Sequence, residues 1–276
     1  MRKKRYLLTC LLVVIQAIAF AQEPTPGQSC PGVPSVADHE GNVYHTVLIG
    51  KQCWTRENMR ARTSPSTGTY IVNNNTKEFS FSGKIARWYE NDSASYASKF
   101  GMLYNWNAAM DTFNVKFGEL SIIKSGMAAV SLPKNVHRRG ICPKGWHVPT
   151  DEDWAELELF TGICTQEEID DKTETWRGHN SGVLAGGSDW GKSDDAGTPG
   201  SYFPDRNKTG FTALPGGYFR ESNFGNVTYD AVYWTSTQKD NDEAYYRYLY
   251  FNRGSIGRTE YGKYYGFAVR CLKDEQ

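Results

Sequence analysis

The chain has 276 residues, and its 31 Lys and Arg balance 31 Asp and Glu, so its formal charge at neutral pH is zero. That balance excludes bulk electrostatic attraction to nucleic acid or to an acidic surface. Aromatics make up 14 % of the residues and glycines number 27, which points to a turn-rich, largely β protein with many packed rings.

Residues 1–21 read as an export signal. Arg2, Lys3, Lys4 and Arg5 form a basic start, Tyr6 to Phe20 an apolar run interrupted by Gln16, and Ala19-Phe20-Ala21 a cleavage site. The run is shorter than the ~20 residues a spanning helix needs. Cys10 lies too early in it for a lipoprotein cysteine. About 255 residues follow, enough for one large domain or two small ones. No other stretch is apolar enough to span a membrane, so the expected location is periplasm, cell surface or medium.

Gln22 to Ala37, rich in Pro, Gly and Ser, reads as a linker, and the pattern changes at Asp38. Asn42 to Ile49 is β-rich, Gly50-Lys51 is a turn, and Gln52 to Thr55 returns as a second strand. Residues 61–83 read as loop. Gly101 to Met110 is apolar and predicts a strand turning into a short helix, with Tyr104, Trp106 and Ala109 buried. Ser125 to Arg139 is connecting chain. Thr150 is a good N-cap, acidic residues 151–153 suit the positive first turn, and Trp154, Leu157 and Phe160 follow at helical spacing up to Gly162. Thr165 caps a second short helix. Residues 185–200 form a long polar loop. Phe211 to Phe219 predicts strand, Pro-Gly turn, strand. Ala231 to Thr237, Ala244 to Asn252 and Tyr265 to Leu272 predict the closing strands, with an acidic turn at 240–243.

Beyond the signal the chain holds five cysteines, and export makes disulfides plausible. An odd count leaves one thiol free or paired between molecules, and the spacings contain no C-x-x-C. Cys30 is expected to pair with Cys53, stapling the linker end to the first hairpin. Cys142 is expected to pair with Cys271, tying the last strand to the start of the main helix. Cys164 is then the odd thiol.

The stretch from Tyr245 to Cys271 holds seven of the 17 tyrosines and four arginines. Strand alternation puts Tyr245, Arg247, Leu249 and Phe251 on one face and Tyr246, Tyr248, Tyr250 and Asn252 on the other. With the Leu249 face as core, a tyrosine ladder faces outward, and Arg253, Ser255, Arg258, Glu260, Tyr261, Lys263 and Tyr264 continue it. Stacking rings with charged tips make a ligand-binding platform. The competing reading is cross-strand aromatic packing that stabilises a sheet. Arg, Lys and Asn within the run are poor core residues and favour the platform.

Six motifs in order, IGKQCWTRENMR, GMLYNWNAAM, ICPKGWHVPTDEDW, GFTALPGGYF, YWTSTQ and YGFAVRCL, resemble the Fibrobacter succinogenes major paralogous domain over about residues 38–274. The resemblance implies a C-type-lectin-like α+β fold, with small twisted antiparallel sheets, two helices and long loops. It implies extracellular binding or surface display in Bacteroidetes-type bacteria more than any established reaction. The run from Tyr245 to Tyr264 also resembles segments that retroelements diversify in related exported proteins. HVPTDEDW and GFAVRC are similar to segments of formylglycine-generating enzymes. Those enzymes carry two reactive cysteines just before the last strand, and residues 245–265 here contain none, so the chain is not expected to be an enzyme. The calcium- and sugar-binding E-P-N and W-N-D triplets of animal C-type lectins are absent, and Trp234-Thr235-Ser236 stands where the second would be.

Other chemistry has little support. The five histidines, His39, His45, His137, His147 and His179, show no metal-ligand spacing. His147 reads as a buried, hydrogen-bonded ring. Asp240, Asn241, Asp242 and Glu243 could hold calcium, but a solvated turn is the plainer reading. Asp151 and Asp153 are better explained as a helix N-terminus than as glycosidase carboxylates. The glycines match no nucleotide-binding pattern, so neither cofactor nor metal is expected. The leading expectation is an exported, non-enzymatic protein that binds a protein, glycan or cell surface. The alternative is an envelope or pilus assembly module in which the same patch is a fixed subunit interface.

Overall fold

The computed structural model describes residues 27–72, 83–112, 137–220 and 223–275. The expected signal, the first part of the expected linker and most of the connecting chain before Arg139 lie outside the described residues. Among the described residues no helix is long and apolar enough to cross a membrane.

The chain begins with three antiparallel strands, β1 (Ser35–Ala37), β2 (Val43–Ile49) and β3 (Gln52–Thr55). The hairpin at Gly50-Lys51 is as the sequence predicts. The end of the expected linker is not free chain, because β1 pairs along β2 and Cys30 is bonded to Cys53. Next come β4 (Ala86–Arg87), α1 (Ser93–Phe100), β5 (Leu103–Tyr104) and α2 (Trp106–Ala109). Tyr104, Trp106 and Ala109 are buried, as expected. Helix α1, capped by Asp92, carries only a weak apolar pattern and escapes the sequence reading.

Strand β6 (Trp146–His147) leads into the main helix α3 (Asp151–Phe160), whose Thr150–Asp153 capping box satisfies its first N–H groups. Phe160 sits at helical spacing from Leu157 but is 64 % exposed, so it ends the apolar stripe outside the core. Helix α4 (Gln166–Asp170) starts at the Thr165 cap. Then follow β7 (Trp176–Arg177), β8 (Gly216–Arg220), β9 (Asn223–Val227), β10 (Asp230–Gln238), β11 (Glu243–Tyr250), β12 (Ile256–Gly262) and β13 (Leu272–Lys273).

Two of the expected closing elements differ. Phe211 to Pro215 is irregular, and the hairpin forms one element later, between β8 and β9. Tyr265 to Cys271 is not one strand. It runs between the sheets, touching Tyr104 through Phe267, Phe219 through Gly266 and Tyr233 through Ala268 as single bridges. A segment that pairs with three partners in turn forms no single ladder.

The fold is mixed helix and sheet with mostly β content. A five-stranded sheet has the order β1-β2-β3-β13-β6, and a six-stranded sheet the order β7-β12-β11-β10-β8-β9, antiparallel except for one parallel contact between β10 and β8. One face of the six-stranded sheet packs Tyr233, Leu249 and Ile256 against Trp154 and Leu157 of α3. The other face packs Val232 and Trp234 with Trp106 and Phe267. Disulfides join Cys30 to Cys53 and Cys142 to Cys271, the pairings expected, and among the described residues Cys164 is the free thiol, buried. Such bridges belong to an oxidising compartment and are consistent with export.

A candidate ligand-binding cleft

Every strand of the six-stranded sheet sends a side chain into one open cleft of about 370 Å³. Strand β11 supplies Tyr246, Tyr248 and Tyr250, and β12 supplies Tyr261. The far strands supply Tyr218 and Arg220 from β8 and Asn226 from β9. Asp230 and Val232 come from β10, Trp176 from β7, and Phe267 from the crossing C-terminal segment. The alternation that buries Leu249 against α3 puts these rings on the opposite face.

The ladder is half-buried rather than free-standing. Tyr246 lies 4.8 Å from the Phe267 ring and 5.5 Å from the Tyr248 ring, and Tyr248 meets Trp176 edge-on at 4.3 Å. The same rings pack inward on the core and line the cleft with their remaining surface. Burial raises the Tyr246 and Tyr248 phenols above their ordinary range, Tyr248 to about 12, so both stay protonated at neutral pH. Two rings owe their positions to glycine. A Cβ on Gly257 would lie 1.9 Å from the Tyr248 ring, and one on Gly225 would lie 2.9 Å from Tyr218.

Arginines stand at both ends. The Arg253 guanidinium stacks over Trp176 at 4.6 Å, and that of Arg220 lies 5.4 Å from Tyr218 and 5.8 Å from Tyr261. Between them sits Asp230, 6 % exposed. Its Oδ2 accepts from the Asn226 amide at 2.8 Å, while its buried Oδ1 has no partner. Burial raises this carboxyl to about 6, with Asn226 pulling weakly the other way.

The structure places the sequence-predicted residues unevenly. Tyr246, Tyr248, Tyr250, Arg253 and Tyr261 line the cleft. Asn252 is exposed and Ser255 half-buried in the turn after β11, neither lining it. Glu260 points to Lys239, 2.6 Å away. Tyr264 packs on Tyr265 at 4.4 Å, outside the cleft.

Two members are corrected. Arg258 pairs across from Arg247 and lies on the inner face, where both grip Asp151 of α3 at 2.7 and 2.6 Å. Lys263 is 1 % exposed, and its Nζ donates to Gln238 Oε1 and to the carbonyls of Asp240 and Asn241 at 2.7–2.9 Å. It lies 4.7 Å from the Trp106 ring, and burial lowers it to about 8. The acidic turn at 240–243 is thus closed by a tethered ammonium, while Asp240 caps the backbone N–H groups of Asp242 and Glu243.

Of the cleft residues the sequence reading missed, Tyr218 and Arg220 carried a usable signal, since they alternate with Phe219 in a strand pattern. Asp230 looks like an ordinary strand start, and Trp176 lies in a polar stretch with no periodicity.

Two features elsewhere bear on chemistry. Cys164 is buried beside Glu158, and burial first, then that carboxylate, pushes its thiol up to about 12, away from a reactive thiolate. His137 and His147, expected to be scattered, stack at 4.0 Å, and with Asp153 they bring potential ligand atoms within 4.8 Å of one another. His147 is buried as expected, already bonded to Asp274 at 2.7 Å and facing Asp153 at 3.4 Å.

A family model described as Fibrobacter succinogenes major domain matches residues 47–273. Searches of curated proteins and of solved structures found no match.

Proposed function

The chain belongs to the Fibrobacter succinogenes major domain family, and from that premise we propose that it is an exported, non-enzymatic binding protein on a C-type-lectin-like scaffold, offering the aromatic cleft to a ligand outside the cytoplasm. The observation that carries this reading is the convergence of all six strands of one sheet on a single ring-lined cleft with arginines at both ends and a carboxylate between them. Tyr, Trp and Arg are the side chains that dominate binding energy, because each gives large contact area with a polar tip. The protonated, buried Cys164 supports a non-enzymatic reading over a formylglycine-generating one, whose chemistry needs accessible thiols.

The test is a screen of immobilised protein against glycan and protein arrays, with Tyr248→Ser/Tyr250→Ser run alongside. Tyr250 is the outer rung and Tyr248 is seated on Gly257, so the core rings around Phe267 stay in place. A ligand held by the wild type should weaken at least tenfold in the variant while the melting temperature moves only a few degrees. Ligands held equally by both proteins would place binding elsewhere and sink the reading.

A further inference from the structure

We propose that the cleft is a site for neutral saccharides, and that Asp230 selects them by accepting a hydrogen bond from a ring hydroxyl. This rests on the binding reading above and narrows it to one ligand class.

Asp230 lines the cleft, and its Oδ1 is buried with no hydrogen-bond partner, while its sister oxygen is held by Asn226. Buried acceptors are ordinarily satisfied, and leaving one unmet is costly. Among the described residues no cation hydrogen-bonds to it, and the guanidiniums lining the cleft, those of Arg220 and Arg253, lie over rings. A ligand that donates a hydrogen bond here removes a cost the free protein carries.

Charge then sorts the candidates. Among the cleft-lining residues there are two fixed positive groups and one negative. An organic cation suits Asp230 and the ring faces but meets two guanidiniums. A carboxylate or phosphate suits the guanidiniums but meets Asp230. A neutral polyol brings donors for Asp230 and acceptors for the arginines and tyrosine hydroxyls on one rigid frame, and presents C–H faces to the rings. The platform has the right form. Tyr246 and Tyr248 are tilted by 33° at a centroid spacing of 5.5 Å along one strand, which lets successive rings of a chain lie on successive tyrosines. The volume, about 370 Å³, falls in the ~300–1,000 Å³ range of small-molecule sites.

The experiment is isothermal titration of the full mature chain with five probes: cellohexaose, xylohexaose, mannohexaose, hexagalacturonate and acetyl-trimethyllysine amide. Wild type is compared with Asp230→Ala, Asp230→Asn and Tyr248→Ala, each checked by circular dichroism. At least one neutral hexasaccharide should bind with an affinity that is flat between 50 and 500 mM salt, about the span over which exposed charges become screened. Asp230→Ala and Tyr248→Ala should each weaken it about tenfold or more. Asp230→Asn, which keeps an acceptor oxygen, should weaken it less than Asp230→Ala.

Preferential binding of hexagalacturonate or of the trimethyllysine probe, lost in Tyr248→Ala, would overturn the saccharide assignment and leave the cleft as a binding site. Neutral saccharide binding untouched by all three variants would overturn both. Failure of all three neutral hexasaccharides to bind would overturn the assignment.

Discussion

Asp230 shows a stability cost concentrated in one side chain. Its carboxyl is raised from 3.8 to about 6 by burial, so folding favours the protonated form. Between those values the unfolded chain gives up its proton while the folded chain retains it, so stability falls as pH rises through that window and stays lower above it. Asp230→Asn should therefore stabilise the protein at pH 7 by ~2–3 kcal/mol and change little at pH 4, measured by urea unfolding at both pH values. A stabilising change that also weakens ligand binding is the mark of a residue kept for function. His147 runs the other way. Burial alone would lower its pKa, but hydrogen bonds and charge from Asp153 and Asp274 outweigh this and raise it above 6.5. The stabilisation is present in full below 6.5 and fades as pH rises through the folded value. His147→Gln should thus cost more stability at pH 5.5 than at pH 9, again read by urea unfolding.

Strand β11 has two faces with opposite demands. Outward, Tyr246, Tyr248 and Tyr250 line the cleft, and inward, Arg247 and Leu249 are fully buried. The inward arginine is the centre of an ion network with α3. Arg247 reaches Asp151 at 2.6 Å and Glu158 at 2.7 Å, Arg177 reaches Glu158 at 2.6 Å, and Arg258 completes the Asp151 cage. Burial would raise the Asp151 carboxyl, but Arg247 and Arg258 together hold it well below the usual carboxylate range. Its contribution is present above 3.8 and lost only as pH falls through that depressed value, so the network survives mild acid. Arg247→Met would leave Asp151 with Arg258 alone and Glu158 with Arg177 alone, and by breaking a buried ion network should cost ~3 kcal/mol in urea unfolding, whereas Tyr250→Ser should cost far less. The same contrast constrains variation. If the segment is diversified between strains, substitutions should fall at 246, 248, 250 and 252–253 and avoid Arg247, Leu249, Gly257 and Arg258. Strain sequences spread evenly over both sets would rule that out. Strand alternation gave the two faces of β11 directly. It missed the fate of Arg258 and Lys263, because their partners lie 107 and 25 residues away.

At the scale of the whole molecule, residues 265–271 thread between the two sheets, with Phe267, Val269 and Cys271 in one apolar cluster and Ala268 in the other. Arg270 is 1 % exposed in that segment, with its guanidinium donating to Asn58 and to the carbonyls of Thr55, Phe211 and Thr212. The Cys142–Cys271 bridge spans 129 residues and the Cys30–Cys53 bridge 23. In the chain-entropy account the longer loop stabilises more, ~5 against ~3 kcal/mol. Replacing Cys142 and Cys271 by Ala should therefore lower the unfolding midpoint further than replacing Cys30 and Cys53.

Local signals in the sequence were enough for the family motifs, the capped helices α3 and α4, the first hairpin and the two-faced character of β11, each of which rests on spacing within a few residues. The restricted chemistry of cysteine in an exported chain made bridges an expectation, and the fold decided which cysteines meet. The cleft itself came only with tertiary structure. It takes one side chain or more from each of six strands whose spatial order departs from chain order, and alternation says which face a residue occupies but not which strands lie beside it. Burial of Asp230 Oδ1 without a partner is likewise invisible in sequence, since the absence of a contact depends on every element packed around it.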